Sequence, residues 1–159
     1  MPPPLDVSLR PVVSSDEDFL YRLFCELRSR DFAGLGLDDA QLQSLLRMQY
    51  TAQSQSYRIQ FGGDGHSIIN INGRAVGRLW VFRGEHDIEL VDIALVDEER
   101  GNGVGRLLIE QLQAEASRTG KGIRLQVTTT NRAAALYQRL GFVITSEDGP
   151  YYTMQWSAS

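Results

Sequence analysis

Residues 100–105 read Arg-Gly-Asn-Gly-Val-Gly. This stretch follows an apolar, strand-like run over residues 88–95 and precedes a helical pattern over residues 104–117. Three glycines allow backbone angles and close approaches that a Cβ would block. The turn leaves N–H groups at the start of the helix, where the helix dipole is positive. Together these features predict a cradle for a diphosphate group.

Length and composition predict one domain, residues 1–159, because 42% hydrophobic residues can build a core without disulfides. The formal net charge is −4 and the basic residues are scattered, so we expect no nucleic-acid partner. Cys25 is the only cysteine, which suits a reducing compartment and a buried core thiol. His66 and His86 are the only histidines and are not spaced as a metal pair, so we expect no metal site.

The sequence also argues against a membrane protein. No apolar run approaches the roughly 20 residues that span a bilayer. The start, Met-Pro-Pro-Pro-Leu-Asp, lacks the basic and apolar regions of a secretory signal. We therefore expect a cytoplasmic protein with no membrane partner.

Hydrophobic period and turn residues predict the order of elements. The predicted strands are residues 6–10, 66–71, 74–83, 87–95, 123–129, 142–145 and 151–156. Four helices are predicted. The first has about 15 residues and follows a capping box at 14–17, and the second is opened by Asp38 and Gln41. The third covers residues 104–117, and the fourth is a short helix from Asn131 to Leu140. Asn72-Gly73 predicts a tight hairpin, and the strand, helix, strand unit around the glycine turn is expected to be parallel.

The same spacing predicts which side chains meet the core. We expect the second helix to carry its apolar residues as Leu42, Leu45, Leu46 and Met48. We expect the third helix to face inward with Val104, Leu107, Leu108, Leu112 and Ala116.

Two other glycine motifs do not fit this turn. A phosphate-loop nucleotidase needs a Lys after its last glycine, and residues 100–105 contain none. A dinucleotide fingerprint needs glycine where Arg106 stands. It also needs an acidic residue at the end of a strand near residues 122–126, and this stretch has none. A glycine turn with no ligand remains an alternative, although three glycines carry an entropy cost that a plain turn does not require.

The pattern that fits is Arg/Gln-x-x-Gly-x-Gly/Ala, found here as Arg100, Gly103 and Gly105. A second pattern, Asn followed by a short helix with Tyr-x-x-x-Gly-Phe, is found as Asn131, Tyr137 and Gly141-Phe142. On both motifs the chain resembles the GCN5-related N-acetyltransferase (GNAT) superfamily. The resemblance implies an α/β fold with a mixed, mostly antiparallel sheet of six to seven strands, split in a V around acyl-CoA and flanked by about four helices.

The resemblance further implies that acetyl-CoA binds as a co-substrate between the strand ending at Leu95 and the strand starting at Ile123. Backbone groups of Ile93, Ala94 and Leu95 would pair with the pantetheine arm like an extra strand. Arg100 belongs to the same cofactor motif. Asn131 would contact the cofactor, cap the following helix, or do both. The pyrophosphate would be held by N–H groups of Gly101, Asn102, Gly103, Val104, Gly105 and Arg106.

Acetyl transfer to an amine needs a base, because an alkyl ammonium with a pKa of about 10 is neutral only about one part in a thousand at pH 7. Glu89 and Asp92 are the candidates, and Glu89 matches the family's catalytic glutamate. On a regular strand the two side chains face opposite sides, so at most one reaches the acceptor unless a bulge intervenes. The alternative is an ordinary ion pair with Arg78, Arg83 or His86 on the neighbouring strand.

Tyr137 matches the family's general acid, which protonates the departing CoA thiolate. The alternative is an aromatic residue packed with Ala133, Leu136 and Leu140. The Leu95 N–H would polarise the thioester carbonyl. Relatives often carry proline where this chain has the acidic residues 97–99, which we expect to be solvated.

Three functions remain open at this point. The first is an N-acetyltransferase that moves acetyl from acetyl-CoA directly to a primary amine in a ternary complex. The second is an acyl-CoA sensor without turnover, and the third is an interaction domain without a nucleotide ligand. A small molecule and a peptide are both open as the acceptor, and the exposed closing strands make a homodimer an option.

Overall fold

The structure is a computed structural model that describes residues 6–158. Residues 1–5 and Ser159 lie outside the described residues. The predicted domain 1–159 includes them, and the start of the chain discussed above falls on residues 1–5. None of the helices within residues 6–158 is long and apolar enough to cross a bilayer.

Seven strands form one sheet in the order β1-β2-β3-β4-β5-β7-β6. The strands are β1 (Val7–Pro11), β2 (His66–Ile71), β3 (Arg74–Arg83), β4 (Asp87–Leu95), β5 (Gly122–Thr128), β6 (Val143–Asp148) and β7 (Tyr151–Trp156). The α-helices are α1 (Glu17–Arg28), α2 (Asp39–Phe61), α3 (Val104–Thr119) and α4 (Ala133–Arg139). The pairs β1–β2, β5–β7 and β6–β7 are antiparallel, and β4–β5 is parallel. This confirms the predicted mostly antiparallel sheet with four helices.

The chain divides into two compact units. The first unit contains the residues up to Leu79 together with Ile93–Arg100. Its core is formed by α1, α2 and β2, and the Tyr50 ring makes edge contacts with the rings of Tyr21 and Phe24. Five buried residues define this core: Leu20, Phe24, Leu46, Tyr50 and Ile68.

Two predicted local signals in the first unit are confirmed. The Asp38 carboxylate accepts the Gln41 N–H at 2.8 Å, and the Gln41 side chain accepts the Asp38 N–H at 3.0 Å, so this capping box opens α2. Asn72 and Gly73 have φ values of +52° and +81°, as the tight hairpin between β2 and β3 requires. Gly62, with φ of +71°, ends α2.

The first helix follows the predicted capping box but is shorter than predicted, and a different residue caps it. Residues 14–16 form a 3₁₀ turn, and α1 begins at Glu17 with 12 residues. Asp16, rather than a serine, accepts the Val13 N–H at 2.8 Å and pairs with the Arg10 guanidinium at 2.7 Å. These charge-assisted hydrogen bonds are stronger than the serine cap they replace.

Two predicted inward positions are exposed. Met48 is 63% exposed, because the buried stripe of α2 runs through Leu46 and Tyr50. Leu107 is 38% exposed, and Ile109 lies buried on α3 instead. Cys25 is half-buried rather than fully buried.

The second unit contains Trp80–Asp92 and the residues from Gly101 onward. Its strands place Ile123, Leu125 and Val127 of β5 on one buried face, while Arg124 and Gln126 alternate onto the other. The β4, α3, β5 crossover with parallel strands is confirmed. The closing hairpin of β6 and β7 is also confirmed, and Gly149 with φ of +58° lies in its turn.

Candidate active site

The glycine turn has the geometry of an anion cradle. Gly101 and Gly103 have φ values of +79° and +83°, a region that favours glycine. Gly103 is the N-cap of α3, and its carbonyl accepts the Leu107 N–H at 3.0 Å. The first N–H groups of the helix therefore lie directly after the turn, where they have no partner within the helix.

Gly105 differs from the other two glycines of the motif. Its φ is not in the left-handed region, and it lies inside α3. A Cβ added there would meet no atom within 4 Å. Neither backbone conformation nor packing within the described chain accounts for glycine at this position. Glycine inside a helix is less favourable than alanine by up to about 1 kcal/mol. Close approach of another molecule is a physical reason that would account for glycine here.

The neighbouring motif residues have varied surroundings. Asn102 is exposed, and Val104 is buried. The Arg106 guanidinium pairs with Glu110 at 2.8 Å, one helical turn on. The Arg100 guanidinium lies 3.3 Å from the Asp97 carboxylate.

The acidic residues before the turn are not simply solvated, contrary to the expectation. Asp97 pairs with Arg30 at 3.1 Å as well as with Arg100, and its N–H donates to Glu26 at 3.1 Å. Glu99 pairs with Arg74 at 2.8 Å, and its side chain is only 12% exposed. Arginines within the first unit therefore hold this segment by charge-assisted hydrogen bonds.

The end of β4 lies very close to β3. The carbonyl oxygen of Ala94 would overlap a Cβ added at Gly77, and the Val96 N–H donates to the Val76 carbonyl at 2.8 Å. The backbone of Ile93, Ala94 and Leu95, predicted to contact the cofactor, is thus positioned against a glycine. The sequence signal for this contact is a lone glycine inside a strand pattern, which often marks close backbone approach.

The shared ladder of β4 and β5 is short. It runs from Asp87 opposite Gly122 to Leu90 opposite Leu125, although β5 continues to Thr128. Beyond this ladder, β5 remains paired with β7 on its other side.

Glu89 lies directly opposite Arg124 in this ladder, and Arg124 Nη1 is 2.9 Å from Glu89 Oε1. The Glu89 side chain is 13% exposed. Burial raises the pKa of Glu89 above its ordinary value, Arg124 acts to lower that pKa, and the negative charge of Asp87 acts to raise it.

The ion-pair partners expected for Glu89 are corrected by this contact. Arg78 donates to Gln53 at 3.1 Å, and Arg83 pairs with Glu115 at 2.6 Å. The partner of Glu89 is on β5, and identifying it requires the register between two strands separated by a whole helix.

Tyr137 lies on α4 and is 5% exposed, with its ring centre 5.6 Å from that of Phe142. Burial raises the pKa of the Tyr137 phenol, and the negative charge of Asp92 raises that pKa further. The phenol therefore keeps its proton throughout the physiological pH range. The two candidate carboxylates are thus in different surroundings, Glu89 with Arg124 and Asp92 near Tyr137.

The second motif has a clear local structure. The Asn131 side-chain oxygen accepts the Ala133 N–H at 2.9 Å, which supports the start of α4. Gly141, with φ of +96°, follows the end of the helix, and the Phe142 N–H donates to the Tyr137 carbonyl at 3.0 Å. Asn131 therefore supports the start of α4 from the position before the N-cap residue Arg132.

Comparisons with known proteins agree with this architecture. Residues 63–144, just over half of the chain, match the family model described as an acetyltransferase (GNAT) domain. No curated protein sequence matches the chain.

Solved structures share the fold at low sequence identity. The PaiA N-acetyltransferase of Thermoplasma acidophilum, in complex with coenzyme A, is 18% identical with a TM-score of 0.71, covering 96% of this chain and 99% of that one. The ribosomal-protein-S18-alanine N-acetyltransferase of Escherichia coli is 18% identical with a TM-score of 0.63, covering 96% and 94%. An acetyltransferase from Thermus thermophilus is 23% identical with a TM-score of 0.65, covering 96% and 97%.

Proposed function

Because this chain belongs to the acetyltransferase (GNAT) family, we propose that it transfers the acetyl group of acetyl-CoA to a primary amine. The observation that carries this proposal is Gly105. The turn uses Gly101 and Gly103 for their φ values, but Gly105 has room for a Cβ that the chain does not supply. A diphosphate against the first turn of α3 would need that room and would gain the N–H donors and the helix dipole.

In this proposal the N–H groups of residues 101–106 hold the pyrophosphate of CoA. Ile93, Ala94 and Leu95 offer backbone groups to the pantetheine arm, in the manner of strand addition. When the diphosphate is present, the Arg100 guanidinium would contact it, either in place of the Asp97 carboxylate or together with that carboxylate. Asn131 acts mainly by capping α4, the helix that carries Tyr137.

The chemistry proceeds by direct transfer within a ternary complex. The amine nitrogen attacks the thioester carbonyl carbon, a C–N bond forms, and the C–S bond breaks. Glu89, directly or through a water, accepts the proton that the amine loses, which offsets a deprotonation free energy of about 4 kcal/mol. The CoA sulfur leaves as a thiolate and receives a proton from Tyr137, and water then returns a proton to the Tyr137 phenolate before the next cycle. The Leu95 N–H stabilises the negative charge on the carbonyl oxygen.

Asp92 has a supporting part in this scheme. Its charge helps to keep the proton on Tyr137, so the phenol begins each cycle as a donor. A raised pKa also makes the phenol a weaker acid, so hydrogen-bond donation to the developing thiolate precedes complete proton transfer.

The acceptor is proposed as an amine that is cationic in solution, from a small molecule or a peptide. Asp87, Glu89 and Asp92 on β4 favour a cation over an anionic acceptor. The structural neighbours include a ribosomal-protein-S18-alanine N-acetyltransferase and a protein described as a histone acetyltransferase HPA2 and related acetyltransferase, both acting on proteins by name. Small amines and peptide amines therefore belong in the same assay.

A second function is an acyl-CoA sensor that binds the cofactor without turnover. Thiol release from acetyl-CoA, measured with a panel of small amines and peptide amines, separates the two. Amine-dependent release with an acetylated product supports the transferase. Tight CoA binding with no release across the panel would instead favour the sensor.

A further inference from the structure

Glu89 is held by a cation on the neighbouring strand. The register places Arg124 directly opposite it, so both side chains lie on the same face of the second unit. The guanidinium approaches to 2.9 Å, and the Arg124 side chain is 36% exposed while the Glu89 side chain is 13% exposed. The cation therefore connects a nearly buried carboxylate to a partly solvated position.

A second Arg–Glu pair in the same unit provides a comparison for the pair of Glu89 and Arg124. Glu115 pairs with Arg83 through two contacts of 2.6 and 2.9 Å, and its side chain is 25% exposed. Arg83 lowers the pKa of Glu115, as expected for a stabilising ion pair. For Glu89, burial outweighs Arg124 and the pKa is raised. A nearly buried carboxylate beside a single cation is therefore a candidate functional group.

The charged groups that act on Glu89 within the described residues are Arg124 on β5 and Asp87 on its own strand. Asp87 disfavours the ionised carboxylate, and burial does the same. In the next strand, β7, the residue opposite Arg124 is the neutral Gln155. Arg124 is therefore the group that opposes protonation of Glu89.

We propose that Arg124 is a positioning residue that keeps Glu89 ionised and oriented, and thereby sets the lower pH limit of acetyl transfer. This inference rests on the proposed function, in which Glu89 accepts the proton of the amine. Replacing Arg124 with an uncharged residue leaves Glu89 protonated at a pH where the natural protein is active. A protonated Glu89 cannot act as a base, so activity falls first at the acidic end of the pH range.

The test compares Arg124→Gln, which removes the charge, with Arg124→Lys, which keeps it. The first readout is the ¹³C carboxyl chemical shift of Glu89 against pH, assigned by its loss in Glu89→Gln. The second is the pH dependence of kcat at saturating acetyl-CoA and acceptor. We expect Arg124→Gln to move both midpoints up by about one pH unit. In Arg124→Lys both midpoints should stay near those of the natural protein.

The matched control is Arg83→Gln, which removes the cation from the Glu115 pair and should leave both midpoints unmoved. If Arg124→Gln does not melt cooperatively, Arg124→Met gives the same comparison with an uncharged side chain of similar length. Unchanged midpoints in the uncharged variant would overturn the role of Arg124. That result differs from failure of the proposed function, in which the natural protein itself transfers no acetyl group.

Discussion

The carbonyl oxygen of Ala94 occupies the place where a Cβ on residue 77 would lie. Only glycine at position 77 lets β3 approach β4 this closely. Ala94 is the middle residue of the three whose backbone is proposed to pair with the pantetheine arm. The identity of residue 77 therefore controls the position of the backbone segment that is proposed to pair with the cofactor.

Gly77→Ala is expected to destabilise the protein by about 1–3 kcal/mol, because the added methyl group displaces the Ala94 carbonyl. CoA affinity should fall as well, since β4 must shift. Thermal melting and calorimetry measure the two effects. Gly63→Ala is the control, because a Cβ at Gly63 meets no atom within 4 Å and its φ is not left-handed. If Gly77→Ala is as stable as the natural protein, the close approach of β3 and β4 is contradicted.

Asp16→Asn is expected to destabilise the first unit in a pH-dependent way. The hydrogen bonds from Arg10, supported by the Val13 N–H, lower the pKa of Asp16 from 3.8 to about 2. Because the folded-state pKa is depressed, the stabilisation is complete above pH of about 4 and is lost as pH falls towards 2.

At pH 7 the loss in Asp16→Asn should be about 1–2 kcal/mol, since Arg10 is partly exposed. Denaturant unfolding from pH 7 to pH 2 measures it, and the difference from the natural protein should shrink below pH 4. Asp18→Asn, an exposed carboxylate on α1, is the control and should change little at any pH. A difference that grows on acidification would contradict the assignment.

Tyr137→Phe is expected to lower kcat about a hundredfold while leaving CoA affinity nearly unchanged, because only the proton donor is removed. Steady-state kinetics and calorimetry check the two parts. Since burial and Asp92 raise the pKa of Tyr137, ionisation of this phenol should cause no loss of activity below pH of about 10. Tyr151→Phe, which removes an exposed phenol, is the control. Full activity in Tyr137→Phe would remove this residue from the mechanism.

Much of the fold could be predicted from local signals. Asn72-Gly73 predicts its hairpin because both residues accept positive φ, and Asp38 with Gln41 predicts the start of α2 by mutual capping. The glycine turn predicts the junction of β4 and α3 because the positive φ values that the turn requires involve only a few neighbouring residues. Each of these features depends on neighbours in sequence.

Features that depend on tertiary contacts could not be predicted. Glu89 and Arg124 are 35 residues apart in the chain, and their pairing depends on the register of two strands. Met48 and Leu107 fit the helical period but lie beside the buried stripe, whose direction is set by packing rather than by spacing. Asp16 forms the cap before α1 because Arg10, on a different element, orients its carboxylate.

The start of α3 is proposed to bind the diphosphate of CoA, and calorimetric titration with CoA measures this binding. The natural protein should bind one CoA per chain. Gly105→Ala should be at least as stable as the natural protein, because alanine favours the helix, yet bind CoA at least about tenfold more weakly, because its methyl group meets the diphosphate. No heat from millimolar CoA, or unchanged affinity in Gly105→Ala, would contradict the claim.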